Sequence, residues 1–190
     1  GACKARKTGI SANRQVTRGV ESLHHTPCEQ VSYSSKIMVI RGAPAIGVAT
    51  AMGVALAAMQ SEASTQENLK RDLDEAAKGL FATRPTAYNL GWALEQMAKV
   101  YNEPGDADEI RARLKARSQE IHDEDVAMCI AMGEHAAPLF PKGVRILTHC
   151  NAGSLAPVGY GTARGVIRSG FKRDPSISVF TDETRPFLQG

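Results

Sequence analysis

From Val144 to Phe180 the chain reads strand, helix, strand. Val144-Arg145-Ile146-Leu147-Thr148 has the pattern of a strand, Ala156 to Ser169 that of a helix, and Ser176 to Phe180 that of a second strand. A unit of this order and length builds a parallel sheet with a right-handed crossover. Two parallel strands and one helix cannot cover both faces of a sheet. The expectation is therefore that more chain follows Gly190 or that a partner supplies the missing strands. Ahead of Pro138 the pattern is helical instead. The fold class that follows is α/β, a mostly helical N-terminal domain at 36–137 followed by the incomplete start of a parallel-sheet domain at 138–190.

The helical part has clear punctuation. Pro44 suits the first turn of a helix running to about Met59, and that segment, dense in alanine and glycine, is too short for a membrane span and is expected to be buried. Ser64-Thr65-Gln66-Glu67 has the form of a capping box, with Ser64 as the cap. Leu69, Leu73, Ala76, Ala77 and Leu80 follow it at helical spacing. Arg84-Pro85-Thr86 ends that helix and starts another, apolar at Leu90, Ala93, Met97, Val100 and Tyr101. A turn at Asn102 to Asp106 precedes a long amphipathic helix with Ile110, Leu114, Ile121, Val126 and Ile130 inward. Residues 1–35 show no sustained period and are expected to be a basic arm and loop, with Lys36 to Ile40 a helix end or a short strand.

Charge and cysteine usage exclude several classes of function. The net charge is +3, but Lys4, Arg6, Lys7, Arg14 and Arg18 all lie in the first 19 residues, which hold no acid. Without these five, 18 basic residues face 20 acidic ones. The body is near neutral, and no nucleic-acid surface is expected. Four cysteines without a C-x-x-C pair suggest reduced thiols in a cytoplasmic compartment and no structural zinc.

Cys150 ends the first strand of the βαβ unit, at the carboxyl edge where open α/β sheets bind ligands. A helix start shortly downstream favours a thiolate there. A free cysteine is as readily a small buried hydrophobe, and from this stretch alone the two readings are even. His149 is a poor partner for it, because neighbours in extended chain point to opposite faces unless the chain turns sharply. Ser154 lacks the glycines of a nucleophile elbow and reads as a cap. Gly159, Gly161 and Gly165 approach a dinucleotide fingerprint, with Asp182 where a ribose-binding acid would stand. The third glycine is one place late, however, and the set falls inside the expected helix, which favours close helix packing. Arg41-Gly42-Ala43-Pro44 and Arg84-Pro85 each place a guanidinium at a helix start, a combination suited to a phosphate. Thr181 to Pro186 carries three charges on the same carboxyl edge, which a solvated loop with a local Asp–Arg or Glu–Arg pair would equally explain.

Four segments together resemble a known family: IRGAPAIGVATAMGVALA (Ile40 to Ala57), TRPTAYNLGWALEQM (Thr83 to Met97), ILTHCNAGSLAPVGYGTARGVIR (Ile146 to Arg168) and TDETRPFLQG (Thr181 to Gly190). They are similar, in order and spacing, to the methylthioribose-1-phosphate isomerases of methionine salvage. These share a fold with regulatory subunits of the translation-initiation guanine-nucleotide exchange factor. The resemblance implies a Rossmann-like second domain and an aldose–ketose isomerisation of 5-methylthioribose 1-phosphate. It implies that Arg41, Gly42, Ala43, Arg84 and Gln189 bind the phosphosugar and that Cys150 is catalytic. It also implies a homodimer, no metal or organic cofactor, and a catalytic aspartate beyond Gly190, so that residues 1–190 alone are expected to be inactive. A non-catalytic regulatory or assembly subunit is the alternative, and a dinucleotide-dependent oxidoreductase a distant third.

Overall fold

The computed structural model describes residues 8–11, 22–25 and 28–184. Two compact units divide the chain, Gly1–Ile121 and His122–Gly190.

The first unit opens on two strands, β1 (Thr8–Ser11) and β2 (Ser22–His25), paired antiparallel. Helix α1 (Cys28–Lys36) follows. An arm and loop were expected over 1–35, and this helix corrects that reading. Its buried face is Cys28, Val31, Ser34 and Ser35, which carries only two apolar side chains and so leaves no apolar period to detect. It closes in a Schellman turn: Val39 N–H donates to Ser34 O at 2.9 Å and Met38 N–H to Ser35 O at 3.3 Å. Met38 takes the left-handed place, φ 62°, which a glycine more often fills.

Helix α2 (Ala43–Gln60) is the centre of this unit, packed by α1, by α3 (Gln66–Thr83) and by α4 (Tyr88–Asn102). It is long and apolar enough to cross a membrane, yet 61% of it is buried inside the protein, and Ala51, Val54 and Ala58 are fully enclosed. A helix apolar all round has no solvent face to offer, so its neighbours must surround it. Gly53 allows this: a Cβ there would stand 3.3 Å from Val31 and 3.4 Å from Leu80, where α1, α2 and α3 converge. Leu69, Leu73 and Leu80 of α3 and Leu90, Ala93, Met97 and Tyr101 of α4 supply the facing layer.

The cap of α3 is Thr65, whose hydroxyl accepts from Asn68 N–H at 3.3 Å; the expected cap at Ser64 is one residue early. A reciprocal box forms instead at the start of α5 (Ala107–Ala136). There Asp106 Oδ1 accepts from Glu109 N–H at 2.8 Å and Glu109 Oε2 accepts from Asp106 N–H at 3.2 Å, satisfying donors that a helix start leaves open. Arg111, on the next turn, closes the other end of α2 by donating to Ala58 O, Ser61 O and Ala63 O at 2.9, 2.8 and 2.6 Å. Ile110, Leu114 and Ile121 face inward as expected, but Cys129 takes the later inner position and Ile130 is exposed.

In the second unit a 3-10 turn (Ala137–Leu139) leads to β3 (Arg145–Thr148), then α6 (Ala163–Arg173) and β4 (Ser178–Thr181). The strands pair in parallel, with Thr148 opposite Thr181. Helix α6 begins at Ala163, not at Ala156. Tyr160 is left-handed at φ 60° and Gly161 at φ 107°, and no helix propagates through two successive residues at positive φ. The strand-to-helix loop is tied down by Asp125, which accepts from Val158 N–H at 2.9 Å, and by Ala152 O, which accepts from Arg164 N–H at 3.1 Å.

Candidate active site

The two arginine-bearing helix starts lie together in the first unit. Helix α2 begins after Gly42 and α4 after Ala87, and neither N-cap provides a side-chain hydrogen bond. Their first N–H groups are therefore oriented outward with the positive end of each helix dipole. The starts are held side by side by a close approach at Gly47, where a Cβ would stand 2.9 Å from Asn89 O. A small apolar cluster of Ile40, Ile46, Ala49 and Leu90 locks them from beneath, with Ala87 packed against it. Arg41 is half-buried immediately before α2, Gly42 is buried and Ala43 is exposed as the first helical residue. Arg84 sits between α3 and α4, where Ala87 N–H donates to Arg84 O at 3.0 Å in the turn that Pro85 imposes. Its Nη1 is buried without a hydrogen-bond partner among the described residues. Keeping a buried donor of a cation unsatisfied costs on the order of 1–3 kcal/mol, so a ligand that accepts from it has something definite to gain.

In the second unit, Cys150 stands two residues past β3 and is exposed, whereas Cys28 and Cys129 are buried. Burial and Glu29 push the Cys28 thiol up to about 11, and burial with Asp125 raises that of Cys129. Those two behave as the packed hydrophobes that Cys150 was equally open to being. Cys150 also has φ 69°, a left-handed backbone that is uncommon for a non-glycine residue and that collects at active sites.

The sharp turn at Cys150 frees His149 to look elsewhere. Its Nδ1 is 2.5 Å from Asp182 Oδ2. Sequence reasoning missed this pair, reading the acidic residues near 182 through local arginine pairing. The signal lay in the strand ends. Thr148 and Thr181 are register partners, so the next residue of each strand, 149 and 182, must also be neighbours.

The glycines of the loop are explained by the loop itself. Gly159 and Gly161 precede α6 instead of lying inside it, which corrects their expected place. A Cβ on Gly161 would stand 3.1 Å from both Gly153 C and Gly165 N. Gly165 packs on the Tyr160 ring, where a Cβ would stand 3.0 Å away. Ser154 is an exposed turn residue and caps nothing, since α6 starts after Thr162. Gln189, also expected to bind substrate, lies outside the described residues. No cluster of metal-ligating side chains occurs among the described residues.

The model of the initiation factor 2 subunit family matches residues 39–190. Methylthioribose-1-phosphate isomerase of Geobacter metallireducens is 53% identical over 170 residues, covering 86% of this chain and 49% of the relative. That of Chloroflexus aurantiacus is 45% identical over 181 residues, covering 93% and 52%. Among solved structures, 5-methylthioribose 1-phosphate isomerase from Pyrococcus horikoshii aligns with TM-score 0.88 at 38% identity, over 100% of this chain and 53% of that one. The translation initiation factor eIF-2B subunit delta from A. fulgidus aligns with TM-score 0.86 at 35% identity, over 96% and 54%. The chain spans about half the length of the relatives it matches. With residues 39–190 matched and these isomerases among its relatives, the chain belongs to the initiation factor 2 subunit family.

Proposed function

We propose that this chain carries the phosphosugar-binding residues and the reactive thiol of an isomerase that converts 5-methylthioribose 1-phosphate to 5-methylthioribulose 1-phosphate. The observation that carries the reading is Cys150, exposed and left-handed at the carboxyl edge of a parallel strand. Arg84, with its buried open donor, and the uncapped start of α2 at Arg41, Gly42 and Ala43 bind the phosphosugar, as does Gln189 by the resemblance.

The chemistry requires the ring bond between C1 and O4 to break with O4 taking up a proton, a hydrogen to move from C2 to C1, and the C2 hydroxyl to lose its proton as the ketone forms. Hydride shift and enediol routes share these endpoints. In either, Cys150 works with an acid, giving or taking a proton at the sugar. The resemblance puts that acid, an aspartate, outside residues 1–190. Residues 1–190 alone are then expected to bind the phosphosugar without turning it over. The free thiols of Cys28, Cys129 and Cys150 support a reducing, cytoplasmic setting, and the resemblance supports a homodimer.

The test is alkylation of Cys150 with and without 5-methylthioribose 1-phosphate. Protection by the phosphosugar is the expected result. The similarity to the eIF-2B subunit favours a second reading, a non-catalytic regulatory subunit. Unchanged alkylation at saturating phosphosugar would move that reading ahead.

A further inference from the structure

The carboxyl edge of the parallel pair holds more than a thiol. His149 and Asp182 leave their strands at register-matched positions and meet at 2.5 Å. A carboxylate only accepts, so Nδ1 must carry the proton in this contact, and in the neutral form of such a ring Nε2 is a lone-pair acceptor. This is the arrangement of a general base oriented by a carboxylate. The ring is accessible, with 73% of the His149 side chain and 54% of that of Asp182 exposed. An ordinary surface pair of such exposure is loosely held. Here the backbone past each partner is constrained: Cys150 follows His149 at φ 69°, and Thr184 stands two residues past Asp182 at φ 49°. A β-branched residue in that region is an outlier, and strained residues persist where the surrounding structure over-determines them.

We propose that His149 is a proton acceptor for a sugar hydroxyl at this edge, and that Asp182 is the residue that positions it. The inference rests on the phosphosugar reading above. In the step, the O–H bond of the C2 hydroxyl breaks and an Nε2–H bond forms. The electron pair left on oxygen becomes the new carbonyl bond as hydride, carrying the C2–H bonding pair, leaves C2 for the C1 made electron-poor by ring opening. The imidazolium, paired with the Asp182 carboxylate, afterwards returns its proton to solvent. Ring-oxygen protonation is left to a different acid.

The experiment is nitrogen-15 NMR of the histidine-labelled chain, residues 1–190, with binding of 5-methylthioribose 1-phosphate followed in parallel by calorimetry. The expected result is a single Nδ1–H tautomer of His149 and a displacement of its Nε2 resonance at saturating phosphosugar. Asp182→Ala should lose the tautomer preference, and Asp182→Glu should restore it, while both remain folded by circular dichroism. Normal binding with an unmoved Nε2 would overturn the inference and leave the phosphosugar reading intact. An Nε2–H tautomer in the unsubstituted chain would overturn it as well. Absence of any phosphosugar binding would remove the functional reading, and the inference with it.

Discussion

Cys150 pays for its conformation in stability: a left-handed backbone disfavours an L side chain by about 1–2 kcal/mol. Cys150→Gly is therefore expected to raise unfolding stability by up to about 1 kcal/mol in a urea melt while removing the reactive thiol. A loss of stability instead would mean that the side chain is held by packing. Iodoacetamide at neutral pH should label Cys150 and spare Cys28 and Cys129, since burial keeps both of those thiols protonated; peptide mapping reads the outcome. The place of Cys150 was legible because a strand end followed by a glycine-bearing turn is a local signal. The His149–Asp182 contact was not, because it depends on how two strands 33 residues apart align. Once strands are known to be parallel and in which register, such a contact can be read directly. Arg84 lies between these cases: proline marked its turn, but only packing shows that its Nη1 is buried.

Helices announced their existence more reliably than their ends. Thr65 and Ser64 are both plausible caps by composition, and the backbone decides between them. Thr65→Ala should cost about 1 kcal/mol and Ser64→Ala close to nothing, as thermal melts of the two variants would show. Gly47→Ala tests the join of α2 and α4. The added methyl would meet backbone oxygen, which cannot swing away, and overpacking of this kind costs about 1–3 kcal/mol. The start of α6 was misplaced by seven residues because Ala156-Pro157 has the form of a helix start, while the left-handed backbone at Tyr160 and Gly161 is set by the fold of the loop. The turn into β4 has its own electrostatic element. Asp174 accepts from the Ser176 hydroxyl at 2.6 Å and from the N–H groups of Gly143 and Ser176 at 2.7 and 3.0 Å. These bonds, the serine hydroxyl foremost, hold its carboxyl down at about 2, below the usual 3.8. A depressed carboxyl contributes stability above its unfolded value and loses it as pH falls toward its folded one. Asp174→Asn should flatten the pH dependence of stability between about 4 and 2, measured by denaturant melts across that window.

At the scale of the whole molecule, the order of helical and then parallel-sheet structure was legible, because each rests on its own periodicity. Helix α1 escaped because serines line half of its buried face. The two units also differ in how far their elements are enclosed. In β4 all four residues are exposed, and a two-stranded sheet has few bonds to share, whereas α2 is enclosed along most of its length. Hydrogen exchange should therefore be orders of magnitude slower at Ala51 and Val54 than at Val179 and Phe180; equal protection would contradict this ranking. The boundary between the units falls after Ile121, inside the 30-residue α5, which runs unbroken from Ala107 to Ala136. Proteases cut extended, exposed chain, and at Ile121 they meet a buried side chain on a continuous helix. Limited digestion should thus leave the two units joined until α5 itself frays, and a gene cut at their boundary would end each half in a severed helix.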